Sequence, residues 1–417
     1  MEKSVTIKDG WKVLLAGLCI NLTIGVVYSW SVIKKVLISQ WGWSNSEASL
    51  PYTVAIVVWA LCNYFAGILQ DKIGPRKVVT MGAVFTGLGL VLSSFVQSVP
   101  MLTLTYGVLT GAGIGFAYAS VTPPALKWFH SSKKGMVAGI VVSGMGLASL
   151  YIAPITTSLL NNYGISKTFF ALGSFILVVS TLVAQMINNP PSGYIPPVPK
   201  NISKTVASKQ EVKNYVWKEM IKTKEFHLLW IMFAFASSAG LMIIGNIATI
   251  AKSQANMENG FYLVGLLAIF NASGRLAAGF LSDKVGRVRM MMIVFVLQGV
   301  NMLMFAGYST PLAISIGTAL AGIGYGALLS LFPSAISDFY GVKNFGGNYG
   351  ILYTAWGVAG TIGPIIAGLV FDSTGAYNLA YIISAGLLAV AFILAFFTSP
   401  INISVNKNIS ATEKIAN

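Results

Sequence analysis

The chain has 417 residues, of which 55% are hydrophobic and 9% charged, and its mean hydropathy is +0.74. Soluble globular domains carry about 25% charged residues, so this composition excludes one and points to a polytopic membrane protein. The formal charge of +15 could suggest a nucleic-acid binder, but the basic residues are spread over the segments between apolar runs, as membrane topology requires.

Runs of roughly 20 apolar residues, enough for a hydrocarbon core of about 30 Å, recur along the whole chain. They predict an all-α integral membrane fold of twelve transmembrane helices at 12–33, 49–70, 78–98, 101–126, 135–160, 167–188, 227–250, 259–282, 289–308, 310–336, 345–371 and 376–398. The first run has no small-residue cleavage site and is too long for a signal h-region, so it is read as a retained span. Cys19 and Cys62 fall in the first two spans and are expected to act as small apolar residues.

From about Asn189 to Glu225 the apolar rhythm breaks, with NNPPSGYIPPVP followed by seven lysines and three glutamates. The break divides the chain into an N-terminal six-helix half (1–188), a linker (189–226), a C-terminal six-helix half (227–400) and a tail (401–417). Within the linker, KQEVKNYVWKEMIKTKEF fits either an amphipathic helix on the membrane surface or a solvated connection. Of the 27 Lys and Arg residues, 22 lie in segments on one side of the predicted membrane and four on the other, namely Lys34, Lys35, Lys167 and Lys252. The positive-inside rule therefore predicts that linker and both termini are cytoplasmic.

The two halves carry an internal repeat. GILQDKIGPRK starts at Gly67 and GFLSDKVGRVR at Gly279, which aligns Gly67, Asp71 and Gly74 with Gly279, Asp283 and Gly286 at an offset of 212. GIGF at Gly113 and GIGY at Gly322 match at an offset of 209, as do Pro124 and Pro333. In each loop the carboxylate suits a helix end, the glycines suit a tight turn, and Arg76 or Arg287 is placed to pair across the face. These eight positions, counting both arginines, form a candidate gating motif.

Arg275 is the one charged residue deep within a predicted span. It precedes Asp283 by eight residues, which puts it about 12 Å from the helix end. All twelve acidic residues fall in loops or at span ends, so no carboxylate is at hand to neutralise it. Burying a lone guanidinium is costly, and its fork of donors fits a carboxylate; a small organic anion is the natural partner. The alternative is an arginine satisfied by backbone carbonyls or an interhelical hydrogen bond. Asn271, one turn earlier, is placed either to orient Arg275 and touch substrate or to bridge helices. Tyr28, Tyr118, Tyr325, Tyr353 and Trp356 lie in the first, fourth, tenth and eleventh spans and are candidate walls of the same site, each also able to serve as packing.

The small-xxx-small registers Gly107, Gly111, Gly115 and Gly135, Gly139 are read as helix contacts. Pro154, Pro333 and Pro364 are placed to kink spans. His130 and His227 stand at span ends, and no carboxylate pair, metal-ligand cluster or Walker motif is present. No enzymatic activity, metal or cofactor is expected, and transport must draw on gradients.

The paired loops and six-plus-six spans resemble the major facilitator superfamily. GVVYSW at Gly25, GAGIGFAYA at Gly111, FNASGR ending at Arg275, SLFPSAISD at Ser330 and NYGILYTAW at Asn348 resemble its oxalate/formate antiporter family, which is related to the monocarboxylate transporters. The resemblance implies a plasma (inner) membrane carrier acting as a monomer, with Arg275 binding substrate and the tyrosines lining the cavity. Where the oxalate carriers of that family have a lysine in the eleventh span, this sequence has Trp356. One cation suits a monoanion such as lactate, pyruvate or formate, and the expected function is symport with protons or anion exchange. The alternative is an oxalate/formate-type dicarboxylate antiporter. Animal monocarboxylate transporters have an Asp where this chain has Asn271, so no protein-borne proton site is expected there.

Overall fold

The computed structural model describes residues 7–197, 213–257 and 261–400. A backbone in hydrocarbon must satisfy its own polar groups, and a helix does so within one segment; no strand occurs among the described residues. The α-helices in chain order are α1 (Ile7–Ile24), α2 (Trp30–Trp41), α3 (Asn45–Ile73), α4 (Pro75–Ser93), α5 (Val99–Leu102), α6 (Gly111–Trp128), α7 (Lys134–Ala184), α8 (Trp217–Met220), α9 (Lys224–Ala255), α10 (Phe261–Val285), α11 (Arg287–Phe305), α12 (Pro311–Tyr340), α13 (Phe345–Thr374) and α14 (Asn378–Phe396). Eleven helical stretches among the described residues are long and apolar enough to cross a membrane. One of them, Ser131–Ala184, is broken at Gly164, whose φ of 77° only glycine adopts freely, so it supplies two crossings and the expected twelve are present.

Local signals fix several helix starts. Ser44 and Glu47 form a reciprocal capping box at α3, with Glu47 N donating to Ser44 Oγ at 3.2 Å and Ser44 N to Glu47 Oε2 at 2.8 Å. Thr310 caps α12 ahead of Pro311, which needs no N–H at the first helical position.

One expectation needs correction, and one choice that the sequence left open is narrowed. The first crossing runs over Ile7–Trp41, longer than 12–33, and is interrupted by a 3₁₀ turn at Gly25–Ser29. Gly25 packs so tightly on α7 that a Cβ there would overlap the side chain of Ala148. Of the two readings left open for the segment from Lys209, its described part is not a regular amphipathic helix, since only Trp217–Met220 coils before α9 begins at Lys224. The α12–α13 junction holds it instead: Tyr215 N donates to Tyr340 O at 3.0 Å, Lys343 N to Asn214 Oδ1 at 3.1 Å, and Asn348 Nδ2 to Tyr215 O at 3.0 Å. The rest of that segment, 209–212, and the tail 401–417 lie outside the described residues.

The six spans before the linker and the six after it meet along two seams, α7 against α10 and α3 against α13. Both depend on glycine. A Cβ on Gly135 would strike the carbonyl of Gly279, and one on Gly67 would strike the carbonyl of Gly346. The registers read as helix contacts are helix contacts: Gly107, Gly111 and Gly115 of the fourth crossing face Pro51, Ala55 and Trp59 of α3, and Gly139 faces the backbone of Arg275.

Candidate functional site

Helix α10 carries Asn271 and Arg275 one turn apart, and both are buried, Arg275 to 1% exposure. Arg275 Nε donates to Asn271 Oδ1 at 2.8 Å, and Nη1 donates to the carbonyl of Val142 on α7 at 2.5 Å. The guanidinium thus bridges the two sets of spans. Arginine has five N–H donors, and among the described residues Nη2 donates to nothing. Every ion pair among the described residues lies elsewhere in the molecule. The result is a buried, oriented cation whose neutral partners leave its charge uncompensated.

An aromatic cluster stands beside it. Tyr353 stacks on Trp356 with ring centroids 5.0 Å apart, and Tyr118 lies 5.5 Å from Tyr353 across the α6–α13 boundary. Trp356 Nε1 donates to the Tyr325 hydroxyl at 2.7 Å, which ties α13 to α12. The charge of Arg275 acts on Tyr118, Tyr325 and Tyr349, so cation and rings share one electrostatic neighbourhood. Tyr28, held on the 3₁₀ turn, is 38% exposed and interacts electrostatically with Tyr118, Tyr325 and Tyr353. All seven substrate-site candidates from the sequence are therefore brought together.

The sequence reading missed four contributors. Trp59 of α3 lies 5.6 Å from Tyr118 and 5.3 Å from Trp356, so it closes the cluster from a second-span helix. Tyr349 lies 5.6 Å from Tyr353, and Phe233 of α9 lies 6.3 Å from it. The Val142 carbonyl is a backbone acceptor and leaves no mark in side-chain chemistry. Trp59 was findable, because the offset of 212 places it on Asn271.

The candidate gating motif occupies one end of the bundle. Gly74 and Gly286 have φ of 90° and 98°, the left-handed region that glycine enters without steric penalty. Asp71 accepts from Gly347 N in the first turn of α13 at 2.9 Å. Asp283 accepts from Gly135 N and Met136 N in the first turn of α7, both at 2.8 Å. Each carboxylate therefore stands at the N-terminal pole of a helix from the other set of spans, where its charge is favourable. The second loop adds a cluster of charges: Arg287 pairs with Asp283 at 2.6 Å and Asp338 at 2.8 Å, and Lys134 with Asp338 at 3.3 Å.

Arg76 does not behave as its counterpart. It is exposed and makes no ion pair among the described residues. Register explains this: at the offset of 212 the partner of Arg287 is Pro75, and at the offset of 209 the partner of Asp338 is Phe129. The first loop lacks both members of the pair.

Comparison with known proteins agrees with this architecture. The model of the Major Facilitator Superfamily matches residues 13–276 and 249–416. The chain is 30% identical to the uncharacterized MFS-type transporter YhjX of Escherichia coli, covering 84% of this chain and 85% of that protein. It is 29% identical to the oxalate:formate antiporter of Oxalobacter formigenes over 93% and 90% of the two chains. It is 24% identical to monocarboxylate transporter 13 of Rattus norvegicus over 95% and 92%. Among solved structures, the E. coli fucose:proton symporter FucP superposes with a TM-score of 0.68 at 14% identity, over 92% of this chain and 98% of that one, a likeness of fold.

Proposed function

The chain belongs to the Major Facilitator Superfamily and is a multi-pass membrane transporter, and on that premise we propose that it carries small monocarboxylates of the lactate, pyruvate or formate type. The observation that supports this most is Arg275: a buried guanidinium oriented by Asn271, with Nη2 unengaged among the described residues and no carboxylate paired with it. A single carboxylate entering beside Tyr118, Tyr325 and Tyr353 would neutralise it. A dianion would leave its second charge against the Trp356 indole, and an unpaired buried charge costs several kcal/mol.

Substrate binding removes the charge that disfavours a closed, dry site, so closure follows occupancy. The halves 1–188 and 227–400 rock about the bound anion. Asp71 and Asp283, the latter anchored by Arg287, hold the motif end shut in one state and release it in the other. The basic loops, read by the positive-inside rule, support a cytoplasmic side for that end and for both termini, in a plasma-membrane carrier. Exchange of anions is favoured by the relation to the oxalate:formate antiporter, and proton symport is the other coupling that the site allows.

The test is uptake of radiolabelled L-lactate into proteoliposomes preloaded with buffer, lactate or oxalate, with and without an inward proton gradient. Uptake into buffer-loaded vesicles driven by the gradient means symport, and uptake only against internal anion means exchange. Undiminished uptake by Arg275→Ala would refute the proposed site.

A further inference from the structure

The offset of 212 that aligns the two loops also carries Asn63 onto Arg275 and Trp59 onto Asn271. Helix α3 therefore presents, at the pseudo-symmetric position, the same i, i+4 pair that α10 uses to hold the guanidinium. The polar atoms of that pair are unspent. Asn63 has 0% exposure, and neither Nδ2 nor Oδ1 has a hydrogen-bond partner among the described residues. Trp59 has 3% exposure, and its Nε1 has none either. Buried polar groups in folded proteins are nearly always paired, so two orphans one turn apart require an explanation.

Their surroundings supply it. The Trp59 ring packs on Tyr118 and Trp356, the rings that border the Arg275 neighbourhood. The α3 backbone at Trp59 and Asn63 lies against Gly115 of α6, and at Asn63 and Tyr64 against Gly350 of α13. The pair thus sits where the two sets of spans meet. We propose that Asn63 and Trp59 form the neutral half of the anion site, their Nδ2 and Nε1 donors taking the carboxylate oxygen turned away from Arg275.

This inference rests on the monocarboxylate reading and deepens it. One charged and one neutral set of donors satisfies both oxygens of a carboxylate while placing a single positive charge in the site, the balance that a monoanion needs. A second cation at position 63 would instead favour a dianion.

The experiment uses the full-length protein in proteoliposomes and counterflow of whichever labelled monocarboxylate it exchanges among formate, L-lactate and pyruvate. Trp59→Phe keeps a ring and removes the N–H; Asn63→Leu keeps the approximate shape and removes the amide; Arg275→Ala is run beside them. Each α3 variant is expected to raise KM about tenfold, the loss of one hydrogen bond to a charged group, with Vmax within about twofold. Asn63→Leu is also expected to melt no lower than the parent, because no protein partner is lost. Unchanged KM in both α3 variants, with uptake abolished by Arg275→Ala, would overturn the inference and leave the monocarboxylate reading standing. A lowered melting temperature for Asn63→Leu with unchanged KM would make the amide structural and overturn it likewise. Should Asn63→Leu fail to fold, the KM of Trp59→Phe decides. Undiminished uptake by Arg275→Ala, or exchange of none of the three anions by the parent, would overturn the reading and the inference together.

Discussion

Replacing Asp283 by Asn is expected to loosen the motif end far more than replacing Asp71 by Asn, although the two residues are equivalent in the repeat. At Asp71 the carboxylate faces one backbone N–H of α13, and Asn still offers an acceptor. The loss is the charge–dipole interaction, about 0.5–1 kcal/mol, or roughly a two- to fivefold change in population. Asp283 accepts from two N–H groups of α7 and pairs with Arg287, with both side chains under a tenth exposed. The pair with Arg287 lies within the second set of spans and survives opening, and Asp338 also holds Arg287 at 2.8 Å, so its loss does not shift the equilibrium. Opening breaks the two N–H contacts, one to each carboxylate oxygen, and an amide has one acceptor oxygen for the two donors, so one charge-assisted bond of about 1.5–3 kcal/mol is lost. With the dipole contribution added, the shift is about 2–4 kcal/mol, or roughly 30- to 1000-fold. The assay replaces Cys19 and Cys62 by Ser and introduces Ser337→Cys, at a position with 0% exposure beside this cluster. Labelling by a membrane-impermeant maleimide from the motif side then reports opening. Equal acceleration by Asp283→Asn and Asp71→Asn would refute the reasoning, because it would mean that the second N–H contact of Asp283 adds nothing to the first.

Asn271→Ala removes the acceptor of Arg275 Nε, a hydrogen bond worth about 1.5–3 kcal/mol when charged, and is expected to raise the KM for lactate uptake at least tenfold at unchanged expression. Gly279→Val places a side chain against the Gly135 carbonyl and is expected to abolish counterflow while the protein still reaches the membrane, as a surface-biotinylation count would verify. Trp356→Lys restores a second cation at the cost of the Tyr325 hydrogen bond, and competition assays should show oxalate gaining at least about tenfold against lactate.

The architecture was legible because membrane helices announce themselves by length and hydropathy, and the repeated loops fix how the halves correspond. Arg275 was legible for the same reason, as the one guanidinium in an apolar run; which of its two readings held was not, and its partners prove to be the Asn271 amide and the Val142 carbonyl. The substrate-site candidates also lie together in the structure, since each sat on a span that faces the centre. Less legible was anything decided by backbone or by register. The Val142 carbonyl has no residue-type signature. The 3₁₀ turn that holds Tyr28 lies in GVVYS, which contains no proline to mark it. Arg76 and Arg287 look interchangeable as basic residues after a glycine, yet a one-residue shift leaves one in solvent and buries the other between two aspartates. Chain segment 213–223 carried a helical pattern that its hydrogen bonds to Tyr340 and Lys343 override.

The pseudo-symmetry fails at the charges. At three aligned places the second half carries charge where the first half has a neutral or apolar residue: Arg275 against Asn63, Arg287 against Pro75, and Asp338 against Phe129. An ionic group buried near a moving seam must keep its partner through the movement or lose several kcal/mol. Carrying the three strongest of these groups on α10, α11 and α12 lets Arg287, Asp283 and Asp338 remain together as one cluster on one side. The contacts that must break across the seam are then carboxylate to backbone N–H, lysine to a rim aspartate, and arginine to a single carbonyl. On the first-half side of the seam the surface is mostly glycine, aromatic ring and amide, and its charged groups, Asp71 and Lys134, sit at the motif end, where they meet a backbone N–H of α13 and Asp338. A carrier that must open and close repeatedly gains from this division, since the strong interactions stay within a rigid body and the weak ones span the interface.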